Sequence, residues 1–376
     1  MTPKHKKLLI VLLSIFSLIN NSNVIGRAAE AKSLGTNVQE RKINLGDKVN
    51  VSNRYDFGSI SITGWDGDTA WAVATTEDGT ESLPVTISED QANARRILIA
   101  TSPEGNRQIT HVHLDVKIPR SVELEPVFVP KARLNLTNID GSVDVSSDSG
   151  SIIVQRVGSV KARTGSGEIQ VMGVSGSVTL RTSSANVTVK GIKGDLISDV
   201  GSANMHVADA DGLINVTTTT GNLEVENAGG DVRVVSINGR TKIHCAKGHV
   251  DVSDTSGVTT LTGIGGDVDV MTSSGRASLT GALRAGGRYR LRTLSGAVQM
   301  IVPSDAVNFG VTLSSYSGHI EGDFVTGAET APPKERAQSR VIRRFGDGRT
   351  QIELDAFNGS VRLSKTSPSA IEKCER

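Results

Sequence analysis

Residues 212–239 read Gly212-Leu-Ile-Asn-Val-Thr-Thr-Thr-Thr-Gly221-Asn-Leu-Glu-Val-Glu-Asn-Ala-Gly-Gly230-Asp-Val-Arg-Val-Val-Ser-Ile-Asn-Gly239. A glycine returns every nine residues. Two and four residues after each glycine the side chain is apolar, and the one between is polar. Alternation with period two marks a short strand with one buried face, and the glycine marks the turn before it. Stepping by nine from Gly158 to Gly275 meets fourteen positions, of which twelve are Gly and two, Ala185 and Ala203, are Ala. The structural turns so defined include Gly167, Gly176, Gly194, Gly212, Gly221, Gly230, Gly239, Gly248, Gly257, Gly266 and Gly275. The fourth residue after the turn is apolar in thirteen of the fourteen units, so the pattern holds over the whole stretch.

The corners reveal a longer period. Two residues before alternate glycines stand Val174, Ile192, Ala210, Ala228, Ala246 and Ile264, all apolar. One residue before the other set stand Ser166, Ser184, Ser202, Thr220, Asn238, Ser256 and Ser274, all small and polar. One corner therefore tucks inward and the other faces water, and two successive units make one coil. Such a coil buries its apolar face only by stacking on its neighbours. The fold class is all-β: a parallel β-solenoid of 18-residue coils, each made of two nine-residue turn-strand units. Strands one full coil apart then pair, which puts Asn186, Asn204 and Asn222 in one row and Glu224 beside Lys242. The first is an amide ladder and the second an opposite-charge pair.

Outside the repeats four regions emerge. Residues 1–31 hold Lys4, Lys6 and Lys7, an apolar run from Leu8 to Ile19, and Ala29-Glu30-Ala31, the order of a secretory signal peptide. Residues 32–133 lack the nine-residue period and read as an irregular β region that caps or leads into the coils. Residues 134–326 are the solenoid, about nine coils between Leu134 and Phe324. Residues 327–376 comprise a loop around Ala331-Pro332-Pro333, a short C-terminal β cap at Gln351–Leu363, and a tail from Ser364.

Composition agrees. The chain has 376 residues, 40 of them Gly, with only 2 Trp, 3 Tyr and 7 Phe, too few aromatics for a bulky α/β core. Removing residues 1–31 takes away Lys4, Lys6, Lys7, Arg27 and Glu30 and moves the net charge from +1 to −2. No nucleic-acid partner is expected from that balance. No later stretch is long and apolar enough for a transmembrane helix. Cys245 and Cys374 could pair in an oxidising compartment, but Cys374 sits near the end in what reads as a loose tail, and two free thiols are the expectation.

Two flanking motifs join the Gly-Ser-Val-x-Val coil signature: Gly58-Ser-Ile-Ser-Ile-Thr-Gly-Trp65-Asp66-Gly67 and Ile352-Glu-Leu-Asp-Ala-Phe-Asn358-Gly359-Ser-Val-Arg-Leu. Together they resemble the bacterial putative-adhesin family, domain of unknown function 4097, over residues 38–365. The resemblance implies an extracytoplasmic or envelope-associated β-solenoid. It brings no catalytic residues to carry over.

Candidate sites follow from the register. Asp231, His249 and Asp267 share one outward row, and Arg233, Asp251 and Asp269 another, an acidic patch that could hold a cation or perform glycosidase-type acid–base work. Arg284, Arg288, Arg290 and Arg292 form a basic cluster, which Arg340, Arg343 and Arg344 could join to hold an anionic polymer. His111 and His113 share one side of a strand without a third ligand, and His206, His244 and His249 form no ladder. No metal, cofactor or catalytic residue is assigned. The chain is expected to be a non-enzymatic, extracytoplasmic binding scaffold for an envelope protein or polysaccharide. A polysaccharide-acting β-helix enzyme and a purely structural spacer are the alternatives.

Overall fold

The computed structural model describes residues 38–44, 46–52, 57–76, 79, 81–101, 111–324, 339–371 and 374. The signal-peptide reading of 1–31 and the loop reading of 327–338 fall outside the described residues. Apart from one 3-10 turn, Pro368–Ala370, the described regular elements are strands.

The middle of the chain is the stack that the repeat implies. Ile214 pairs with Val232, Val232 with Val250 and Val250 with Val268, all parallel and each one coil further along the chain. Each of Ile214–Ala228, Val232–Ala246 and Val250–Ile264 is one long strand that runs along one face, bends, and continues along the other. The bend in the first is at Gly221, where φ is +127°. Inward residues such as Ile214, Val216, Leu223 and Val225 are fully or almost fully buried. Each buried aliphatic side chain contributes roughly 1.5–3 kcal/mol, and it does so only because the coils above and below close over it.

The two corners are held differently. At one, an inward hydroxyl takes the amide of the glycine three residues on. Gly150 N–H donates to Ser147 Oγ at 2.7 Å, and Gly167 N–H to Thr164 Oγ1 at 3.0 Å. The row continues as Thr182, Val200, Thr218, Ser236, Asp254, Thr272 and Thr293, all buried, and the hydroxyls of Thr182, Thr272 and Thr293 make no hydrogen bond among the described residues. At the other corner the left-handed residue stands three positions before the repeat glycine. It is Gly173, Gly191, Asp209, Asn227, Cys245 and Gly263 in successive coils. Asn and Asp tolerate that region best among residues with a Cβ. Repeat glycines here are required by stacking instead. A Cβ on Gly230 would lie 2.6 Å from the carbonyl oxygen of Gly212 in the coil below.

Side-chain ladders run along the stack. Asn204 Nδ2 donates to Asn186 Oδ1 at 3.4 Å, and Asn222 Nδ2 to Asn204 Oδ1 at 3.0 Å. Lys242 Nζ donates to Glu224 Oε1 at 2.6 Å.

At both ends the stacking order leaves the chain order. At the C-terminal end, Arg288–Pro303 pairs with Thr350–Asn358 and Val361–Thr366, not with the strand that follows it in sequence. Phe309–Ser315 pairs with the far side of Thr350–Asn358. The segment expected to be the cover is therefore an inserted coil. The outermost strand is Ser339–Phe345, antiparallel to Phe309–Ser315. Its arginines blunt an edge that would otherwise invite further pairing. The N-terminal end repeats the arrangement. Phe57–Trp65 lies between residues 133–137 and His111–Pro119. Thr69–Thr76 closes that edge antiparallel, and Gln39–Lys42 covers it in turn. The N-terminal region thus continues the stack.

The expectation of two free thiols is corrected: Cys245 and Cys374 form a disulfide across 129 residues of sequence. The tail reading is corrected with it. Strand structure continues to Thr366, Ile371 is buried, and Cys374 is tied to a mid-stack corner. The corner is accessible because Gly263, one coil on from Cys245, has no side chain. A Cβ there would meet Cys374 Sγ at 2.3 Å.

Candidate binding faces

Each coil shows solvent two flat faces, on which outward side chains form rows across successive strands. On one face the rows run Asp144, Lys161, Thr179, Ile197, Asn215, Arg233, Asp251, Asp269, Arg290, Glu353 and, two residues along, Ser146, Arg163, Arg181, Asp199, Thr217, Val235, Ser253, Met271, Arg292, Asp355. These rows bring the acidic patch and the basic cluster together. Arg233 lies 3.6 Å from Asp251. Arg290 reaches Asp269 at 3.3 Å and Glu353 at 3.0 Å, and Arg292 adds a second contact to Asp269 at 3.6 Å. Asp251 and Asp269 are neighbours in the register, a repulsive placement. The guanidinium groups on either side offset that repulsion.

The turn-facing members behave alike. Asp231 accepts the backbone N–H of His249 at 2.7 Å. Asp267 accepts the N–H of Arg288 at 3.0 Å and pairs with the Arg284 guanidinium. The amide first, and then the guanidinium, holds the Asp267 carboxyl below the usual carboxylate range. A pair of carboxylates doing acid–base work needs one acid with a raised pKa. Asp267 is shifted the opposite way. Arg340, Arg343 and Arg344 lie on the outermost strand. Arg344 pairs with Gly310, Gly310 with Gln351 and Gln351 with Arg288, so two strands separate this group from the basic cluster.

A shallow, open depression on this face is lined by Ser147, Arg163, Thr164, Arg181, Asp199 and Gly201 among others. It contains none of the acidic-patch residues. At the adjoining corner of the C-terminal coils Leu294, Phe357 and Tyr316 are exposed, and the Tyr316 and Phe357 rings stack at 4.6 Å. The sequence reading did not single these out, since Phe357 and Tyr316 meet only through the inserted coil.

His113 Nδ1 lies 2.6 Å from Ser59 Oγ, a cross-strand contact that accounts for its position. Among the described residues, His111 and His113 join no group of three metal-ligating side chains. His206 does, with Glu224 and Glu226 on the second face. That grouping runs diagonally across two rows, so no single 18-residue offset in the sequence brings its three members together. Among the described residues no helix is long and apolar enough to cross a membrane.

The pairings define a parallel β-solenoid with antiparallel strands along Phe309–Ser315 at one end and along His111–Pro119 at the other. Residues 43–253 match the Toastrack DUF4097 family, and the chain belongs to that family. No curated protein matches the chain. Two crystal structures are similar to it. One is described as a "putative cell adhesion protein" from Clostridium sporogenes, at 8% identity and TM-score 0.15, covering 88% of this chain and 100% of that one. The other is a "putative adhesin" from Bacteroides fragilis, at 9% identity and TM-score 0.22, covering 87% and 96%. At such TM-scores the likeness carries no weight for the architecture, which rests on the strand registers.

Proposed function

We propose that this protein is a non-enzymatic, extracytoplasmic binding scaffold whose partner is an envelope protein or a polysaccharide. The observation that carries the reading is the pair of flat faces, on which hydroxyls, amides and charges recur once per coil. A partner with its own repeat engages many such positions at once, and avidity replaces a deep pocket. The engaged state of the acidic patch supports binding over catalysis. The Cys245–Cys374 disulfide supports a compartment outside the cytoplasm, where such bonds persist. Export by cleavage after residues 1–31 is part of the same proposal.

Affinity capture from an envelope extract, run beside a glycan-binding panel, tests it. Saturable retention of an envelope protein or a glycan series supports the scaffold. Turnover of a polysaccharide that is lost in Asp269→Asn would replace it with the enzyme reading. An uncleaved chain in the cytosolic fraction would overturn the location.

A further inference from the structure

The second face carries a cluster that the function above does not use. His206 lies on Met205–Ala210, Glu224 and Glu226 on Ile214–Ala228, and His244 on Val232–Ala246. The register sets His206 beside Glu224, and Glu226 beside His244. Glu226 has Ala208 as its other neighbour, so a methyl stands where a longer side chain would fill the space next to His206. His206 Nδ1 is 3.7 Å from Glu224 Oε2. One ligand atom from each of His206, Glu224 and Glu226 lies within 4.8 Å of the others, and all three side chains are half-buried.

We propose that His206, Glu224 and Glu226 form a binding site for a divalent transition-metal ion of the zinc class. The donor set is one imidazole nitrogen and two carboxylate oxygens. That mixture suits zinc and its neighbours, whereas calcium and magnesium prefer oxygen alone. Bonds of ~2.0–2.2 Å in a tetrahedral site put ligand atoms roughly 3.3 Å apart. Side-chain tips on an open face reach that spacing by moving an ångström or so, without backbone change. The outward face leaves the remaining coordination position to water.

Two further features prepare the site. Lys242 holds Oε1 of Glu224 and leaves Oε2 turned toward His206, the kind of outer contact that fixes a ligating carboxylate. Glu224 and Glu226 stand two residues apart on one face of one strand, a like-charge placement that a bound cation would offset. An ion spanning Met205–Ala210 and residues 223–228 would tie two coils together. The proposal is independent of what the faces bind.

The test uses the full chain, untagged and stripped with chelator, titrated with Zn²⁺ by calorimetry and with Co²⁺ by visible absorption. One saturable ion per chain and a raised melting temperature are expected. His206→Ala and Glu226→Gln should each weaken binding by at least ~10-fold. Both should keep the β-sheet circular dichroism of the stripped parent. His111→Ala should bind as the parent does. Absence of saturable binding by either ion, or binding unchanged in both His206→Ala and Glu226→Gln, would overturn the assignment. A variant that loses its β-sheet signal is replaced by Glu224→Gln, read by the same Co²⁺ spectrum.

Discussion

The middle coils and the end coils are built from the same strands but reach their places by different rules. Between residues 158 and 280 each strand pairs with the one a single coil further along the chain. At the ends, the chain leaves a gap of one coil and fills it later. Residues 350–366 enter between 288–303 and 309–322, and His111–Pro119 enters between Phe57–Trp65 and Thr69–Thr76. A middle coil can therefore form by local propagation along the stack. An end coil forms only when a distant segment arrives, which is slow and topologically costly. The gain is closure: the Phe309–Ser315 edge and the N-terminal edge beyond His111–Pro119 both finish in antiparallel strands.

The comparison breaks most visibly at the middle corners. Gly221→Val should cost more than ~4 kcal/mol or abolish folding, because it combines a strained backbone with overpacking. Its Cβ would fall 1.9 Å from the Ala203 carbonyl oxygen, and φ is already +127°. Gly230→Val should also be severe, through the clash with Gly212 alone. Thr217→Val, on the exposed face, should stay within ~0.5 kcal/mol. Equal urea midpoints for the three variants would remove the stacking argument.

The staple between tail and middle comes next. Cys374→Ser should cost about 2–5 kcal/mol. Amide exchange should rise first in residues 367–371, which the disulfide holds in place. Unchanged exchange there would mean that burial of Ile371 alone fixes the tail.

Asp254 gives a smaller effect with a pH signature. It occupies the inward corner row that in most other coils carries Ser or Thr. Burial raises its carboxyl above the usual range, against hydrogen bonds from Ser236 and the amides of Ser256 and Thr255. The folded state therefore favours the neutral acid. The stability this lends is full below the ordinary Asp range and is lost as pH rises through the raised value. Asp254→Thr should thus stabilise the protein by about 1 kcal/mol at pH 7–8. The advantage should shrink toward pH 4, as melting curves across that window would reveal. The smallest effect is expected at the amide ladder, where Asn204→Ala should cost about 0.5–1 kcal/mol. A cost near zero would make the row ornamental.

What the sequence discloses follows the same division. The nine-residue period exposes the middle because each residue's partner lies at a fixed distance in the chain. It also contains the inward hydroxyl row, which stands three residues before alternate turn positions as Thr164, Thr182, Thr218, Ser236 and Thr272. The small polar residues directly before the same turns mask it in the sequence. The end coils obey no fixed offset, so the partner of Thr350–Asn358 is not readable from spacing. Cys374 looked like a tail residue for the same reason, since the corner it meets is 129 residues away. The charged groups were each visible. That Arg290 joins Asp269 to Glu353 required the inserted coil.

Spin labels on one outward row test the stacking order most directly. The row steps from Ile197 through Asn215, Arg233, Asp251, Asp269 and Arg290 to Glu353, and then to Thr312. At ~4.8 Å per strand, Glu353 lies ~29 Å from Ile197 and Thr312 ~34 Å. Dipolar distances between labels at 197 and 353 should therefore be shorter than those between 197 and 312. The reverse order, with 312 the nearer, would mean that the coils stack in chain order and that the inserted coil does not exist.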